Sequence, residues 1–185
     1  MTVLDPSARS LFSAAPIFSC DVRMEDILLS DLTGGTPFGK VEGVLQGSIA
    51  ELEIVAGQPQ HYDLLLETER KRGVRQRISV KAVNSISQIG GGQNAFAGLA
   101  GSALKLLPGF GYRKIGIRST LSNDVFTVNG TIRDGGVEYL VRRDGLAGVD
   151  VVNRDPQNRI RFTEMLKRIR RAMEPENKPV VNVNQ

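Results

Sequence analysis

Between Ser87 and Leu107 the chain carries a single charge, Lys105, although 24% of its residues are charged. This run is the centre of a longer stretch, Ile78 to Lys114, whose pattern constrains the fold most. It predicts a strand over Ile78–Ile86, a glycine hinge at Gly90, Gly91 and Gly92, and an apolar helix over about 93–107. Pro108 and Gly109 then stop the helix, and a new strand begins at Tyr112. An apolar helix among polar-edged strands needs a surface to rest on. That surface is either the hollow face of a sheet or a lipid bilayer.

The flanking chain reads as antiparallel hairpins. Met1–Ala15 is a loose lead-in, and Ile17–Leu32 is a strand with its continuation. Val41, Leu45 and Ile49 share one parity, with Gly43 and Gly47 between them, which implies curvature or close approach of another group. The apolar parity then flips to Leu52 and Ile54, placing a bulge near Ala50. After a turn at Gln58-Pro59, Tyr62, Leu64 and Leu66 alternate with polar residues. Ile78, Val80, Ala82 and Ile86 do so as well, and Ile115, Ile117 and Leu121 continue the pattern beyond the insert. Asn123-Asp124 and Asp134-Gly135-Gly136 mark two tight hairpins around Phe126 and Val128. Thr163–Met173 is an amphipathic helix with Met165, Leu166, Ile169, Ala172 and Met173 on one stripe. Lys167, Arg168, Arg170 and Arg171 lie opposite.

These elements give a mainly β fold: a curved antiparallel sheet forming an open groove or half-barrel meander. It carries one inserted apolar helix and a C-terminal amphipathic helix. One domain over residues 17–173 is expected, between a flexible lead-in (1–16) and a disordered tail (174–185). The 185 residues are enough for one core. The net charge of +4 tolerates an anionic partner without requiring one, and a lone cysteine excludes an internal disulfide. Asp5 and Pro6 interrupt any secretory signal at the N-terminus. No run reaches the roughly 18 apolar residues of a spanning helix.

Catalytic signatures are missing. Gly90-x-Gly92-x-x-Ala95 matches a dinucleotide fingerprint in spacing, but hairpins flank it in place of βαβ units, and no acidic residue follows before Asp124. His61, the sole histidine, sits on the polar parity of its strand, and no metal-ligand spacing occurs. No enzyme activity, metal or cofactor is expected. Arg70, Lys71, Arg72 and Arg75 form a basic run without the interleaved aromatics a nucleic-acid surface needs.

The segments QRISVKAVNSISQIGGG (76–92), YRKIGIRSTLSNDVFTVNGTIRDGGVEYLVRR (112–143) and GVDVVNRDPQNRIRFTEMLKRIRR (148–171) resemble the C-terminal end of AsmA-like bacterial envelope proteins. Within that group the chain resembles members of the YdbH type and uncharacterised ones. The resemblance covers about Gly39 to Met173. It implies an open, taco-like β-groove, an anchor in the inner membrane far upstream, and a C-terminal end reaching the outer membrane. It also implies phospholipid movement across the periplasm without an enzymatic step. This chain would be the terminal piece, partnered by lipid or a membrane surface and by the rest of a longer envelope protein or an outer-membrane protein.

On that reading the groove is lined by Val41, Leu45, Ile78, Val80, Ala82, Ile86, Ile115, Ile117, Phe126 and Val128. Phe96, Leu99, Ala103, Leu106 and Leu107 contact acyl chains or bilayer, and Lys167, Arg168, Arg170 and Arg171 contact headgroups. The same lining residues would form plain core if a helix covers them. The alternatives are a basic β-domain binding nucleic acid through 70–77 and 159–171, or a packed interaction module without ligand.

Overall fold

The computed structural model describes residues 1–89, 109–145, 148–154, 157 and 159–173, apart from the side chains at 168 and 171–173. The expected apolar helix with Phe96, Leu99, Ala103, Leu106 and Leu107, the glycine hinge and the tail lie outside the described residues.

The chain is mainly β, with an open antiparallel sheet that does not close into a barrel. Strands β1 (Thr2–Arg9), β2 (Ile17–Leu28), β4 (Val44–Val55), β5 (Gln58–Glu69), β7 (Phe110–Ser122), β10 (Val137–Arg143) and β11 (Val151–Val152) lie side by side in that order. Short strands extend this path: β3 (Val41–Glu42), β6 (Arg77–Ile78), β8 (Val125–Gly130), β9 (Ile132–Asp134) and β12 (Arg159–Arg161). Among the described residues three helices accompany them: α1 (Leu29–Thr33), α2 (Val80–Ile89) and α3 (Phe162–Met173).

Local chemistry explains most of the strand boundaries. Asn123 and Asp124, both at positive φ, close the β7–β8 hairpin, and Gly135-Gly136 closes β9–β10. The β4–β5 turn falls at Ala56-Gly57, two residues before the expected Gln58-Pro59, because those two residues adopt the positive φ that a tight hairpin requires. The parity flip near Ala50 is a bulge at Glu51 (φ 53°), whose N–H is held by the Asp21 carboxylate at 2.8 Å. Asp26 (φ 53°) and Asp5 (φ 47°) mark register shifts in β2 and β1. Aspartate tolerates this left-handed backbone better than most residues. Each bulge bends its strand and increases its twist.

Two expectations are corrected. Thr2–Arg9 is an edge strand paired with β2, where a loose lead-in was expected. The strand expected over Ile78–Ile86 ends at Ile78, and a helix begins at Val80. The even spacing of Ile78, Val80, Ala82 and Ile86 imitates a strand, but Val83 and Ile89 complete a helical stripe with Ala82 and Ile86. Ser79 caps the helix: its hydroxyl accepts the Ala82 N–H at 3.2 Å.

The core forms where α2 and α3 meet the sheet. Ile78, Ala82, Val83, Tyr112, Val141 and Met165 are fully enclosed, with Leu121, Phe126, Val128 and Leu140 beside them. On α3 the buried stripe is Phe162, Met165 and Ile169, whereas Leu166, expected on that stripe, is 41% exposed.

Above Gly116, the Thr131 hydroxyl takes the space of a missing side chain and donates to Glu67 at 2.5 Å. Partial burial pushes the Glu67 carboxyl up, but the Thr131 hydroxyl and the Lys114 ammonium at 2.9 Å hold it below the ordinary value on balance. A depressed carboxyl stabilises the fold above its unfolded-state pKa, and that contribution is lost as pH falls through the folded-state value. Thr131→Val is therefore expected to cost about 1 kcal/mol at neutral pH. The deficit should shrink once Glu67 is protonated in both proteins, as urea unfolding at neutral and acid pH would show.

Candidate functional site

The ten residues expected to line a groove converge. Val41, Ile78, Ala82, Ile86, Ile115, Phe126 and Val128 belong to one buried cluster, with Val80 and Ile117 half-buried against it. Leu45 is also buried. They face one another and the helices, so their apolar surface is occupied by protein: these positions are core.

The same face of the sheet continues past the core. Register fixes which side chains share a face, because directly paired residues of an antiparallel ladder point the same way. One row runs Val3–Val22–Ile49–Leu64–Ser119–Val128 across six strands. Its neighbour runs Met24–Gly47–Leu66–Ile117–Gly130. Beyond the bulge, Cys20 pairs Leu52 and Phe18 pairs Ile54. At the β7–β8 end these rows enter the core. Toward β1 most of their side chains are half-buried, Val22 stays buried at 6%, and the rows finish on Phe18 and Val3, 45% and 50% exposed.

The opposite face is polar. Its rows include Arg23–Ser48–Leu65–Arg118–Asn129 and Ala50–Asp63–Thr120–Thr127. Arg118 makes a two-pronged contact with Asp63 at 2.5 and 3.2 Å, and the Thr120 and Thr127 hydroxyls meet at 2.6 Å. A shallow polar cleft of about 380 Å³ lies on this face between Ser19, Glu51, Glu53, His61 and Asn123. His61 contacts Glu51 at 3.0 Å there, so the histidine has a carboxylate partner. Among the described residues no cluster of His, Cys, Asp and Glu could hold a metal ion.

β1, β2, β4 and β5 thus form a wing, apolar on one side and charged on the other. The contacts of α2 and α3 concentrate on β8, β11, β12 and each other, at the far end from that wing. Wing residues Phe18, Cys20, Val22 and Met24 escaped the sequence reading, because β2 alternates only weakly and its bulge hides the parity. Leu52, Ile54, Leu64 and Leu66 carried a visible signal in their alternation with polar neighbours.

The expected headgroup residues Lys167 and Arg170 are exposed on α3, and Lys167 pairs with Glu164 one turn back at 3.5 Å. The side chains of Arg168 and Arg171 lie outside the described residues. No helix among the described residues is long and apolar enough to cross a membrane. No family model, curated protein or solved structure matches this chain.

Proposed function

We propose that this chain is a non-catalytic lipid-contacting module, which engages acyl chains or a membrane surface through the apolar face of its β1–β2–β4–β5 wing. One observation carries the reading: a four-strand apolar face runs outward from the core and ends on exposed Phe18 and Val3, while its reverse side is charged. A monomer gains nothing from leaving such a face to water, and contiguous apolar patches of this kind mark interaction surfaces. The uncharged Ser87–Leu104 sequence adds apolar material to the same chain. The resemblance to the C-terminal end of AsmA-like proteins agrees with this proposal. It would place the chain in a bacterial envelope, as the terminal piece of a phospholipid-transfer or outer-membrane assembly protein.

Flotation with phosphatidylcholine vesicles tests it. The purified protein should rise with the vesicles, and native mass spectrometry should find bound phospholipid. Phe18→Asp should weaken vesicle binding at least about 10-fold, since burying a phenylalanine is worth about 1.5–3 kcal/mol. Position 18 is exposed enough for that variant to fold. Absence of both flotation and bound lipid would remove the proposal.

A further inference from the structure

Between β5 and β6 the chain turns through residues 70–76, and that loop lines a cavity of about 590 Å³ with Arg70, Lys71, Arg72, Arg75 and Arg77. Against these five cations the lining offers a single carboxylate, Asp144. Like charges gathered around one concavity repel unless an anion is bound there, and low-dielectric walls focus their field into it.

The cations differ in their commitments. Arg70 donates to Asp144 at 2.9 Å and to the Gln76 side-chain oxygen at 3.5 Å. Lys71 is paired with Asp26 of β2. Arg77 donates to the Gly109 carbonyl at 3.2 Å. Arg72 and Arg75 are exposed and make no ion pair or hydrogen bond among the described residues. The turn is set by Gly73 at φ 84°, with the Val74 N–H donating to the Lys71 carbonyl at 3.2 Å. Two guanidinia and one ammonium are thus anchored or paired in place, and two guanidinia remain available. That division suits an anion with several oxygens, because guanidinium forks bind phosphate through two parallel hydrogen bonds.

The neighbourhood favours a phosphate attached to lipid over a free one. Lys71 reaches the end of β2, where Leu28 and, in the following α1, Leu32 stand 43% and 54% exposed. Leu28 occupies the same ladder row as Val44 and Glu69, the residue just before the loop, on the reverse of the wing's apolar face. One end of the sheet therefore presents bare leucines beside unmatched arginines, a combination that fits the boundary between acyl chains and anionic headgroups. We infer that the 70–77 loop is the headgroup site for an anionic phospholipid, with Arg72 and Arg75 as the phosphate-contacting residues. This rests on the lipid-contacting reading of the wing and adds to it the class of lipid.

The test compares flotation on phosphatidylcholine vesicles and on vesicles that also contain phosphatidylglycerol, for the wild type and for Arg72→Gln/Arg75→Gln. Both side chains are exposed, so folding should be unaffected; a matching Tm confirms it. The wild type should prefer the anionic vesicles. The double variant should lose about 30-fold on them, two cations at about 1 kcal/mol each, while matching the wild type on phosphatidylcholine. Equal anionic binding by both proteins would overturn the headgroup site and leave the wing reading standing. Flotation of the wild type on neither vesicle would overturn both. Inorganic phosphate or a single-stranded oligonucleotide bound through the same two arginines, without any preference for anionic vesicles, would overturn the assignment to lipid.

Discussion

Replacing Glu138 by leucine is expected to remove about 3 kcal/mol or more of stability. Glu138 is only 6% exposed, and one carboxylate oxygen accepts the Gly130 N–H at 2.7 Å, the Asn153 side-chain amide at 2.7 Å and that of Asn129 at 3.4 Å. Its other oxygen lies 3.6 Å from Arg133. The Asn153 amide also donates to the Val128 carbonyl at 3.1 Å, so this one residue pins β8, β10 and the chain after β11 together. Leucine would fill similar space while leaving buried donors without their acceptor, at about 1–3 kcal/mol for each such group. Glu138→Gln keeps an acceptor oxygen and should cost clearly less. Urea unfolding of both variants decides it. A leucine variant within about 1 kcal/mol of wild type would show that the network is not structural.

The second large effect is expected at Gly43. Its φ of 148° lies where side chains are strained, and a Cβ there would collide with the Tyr112 hydroxyl. That hydroxyl is buried and donates to the Glu42 carbonyl at 2.7 Å. Burial raises its pKa strongly, so it stays protonated and able to donate. Gly43→Ala combines backbone strain with overpacking and should cost about 3–5 kcal/mol. Tyr112→Phe alone forfeits a hydrogen bond worth about 1 kcal/mol. Combined with Gly43→Ala it removes the colliding atom, so the double variant should be more stable than the sum of the single effects by 1 kcal/mol or so. Strict additivity in thermal or urea unfolding would show that the alanine is tolerated by backbone movement.

The two positions differ in how much the sequence revealed of them. Gly43 and Gly47 stand out as missing side chains on an apolar parity, and close approach was one of two readings. The structure supplies the approaching atoms: the Tyr112 hydroxyl at Gly43 and the Leu65 carbonyl at Gly47. Glu138 gave no such signal, since a glutamate after a tight hairpin looks like any solvated strand residue. Its burial depends on Asn153, fifteen positions away. The 70–77 run is visible in the sequence as charge without interleaved aromatics, a pattern that carries no information about shape. Its concavity appears only when Asp144, 74 positions on, closes one wall.

Spacing and turn chemistry alone determined the succession of hairpins, the bulge near Ala50 and the exposure of Lys167 and Arg170 on α3, because each depends on residues within a few positions of one another. Tertiary packing decided whether Val80–Ile89 coils or extends. Its short apolar pattern fits both periods, and enclosure against Val41, Tyr112 and Met165 selects the helix. Packing also decided which part of one continuous apolar face becomes core and which part stays open. Burial is set by what lies opposite a side chain, and alternation along a strand cannot encode that.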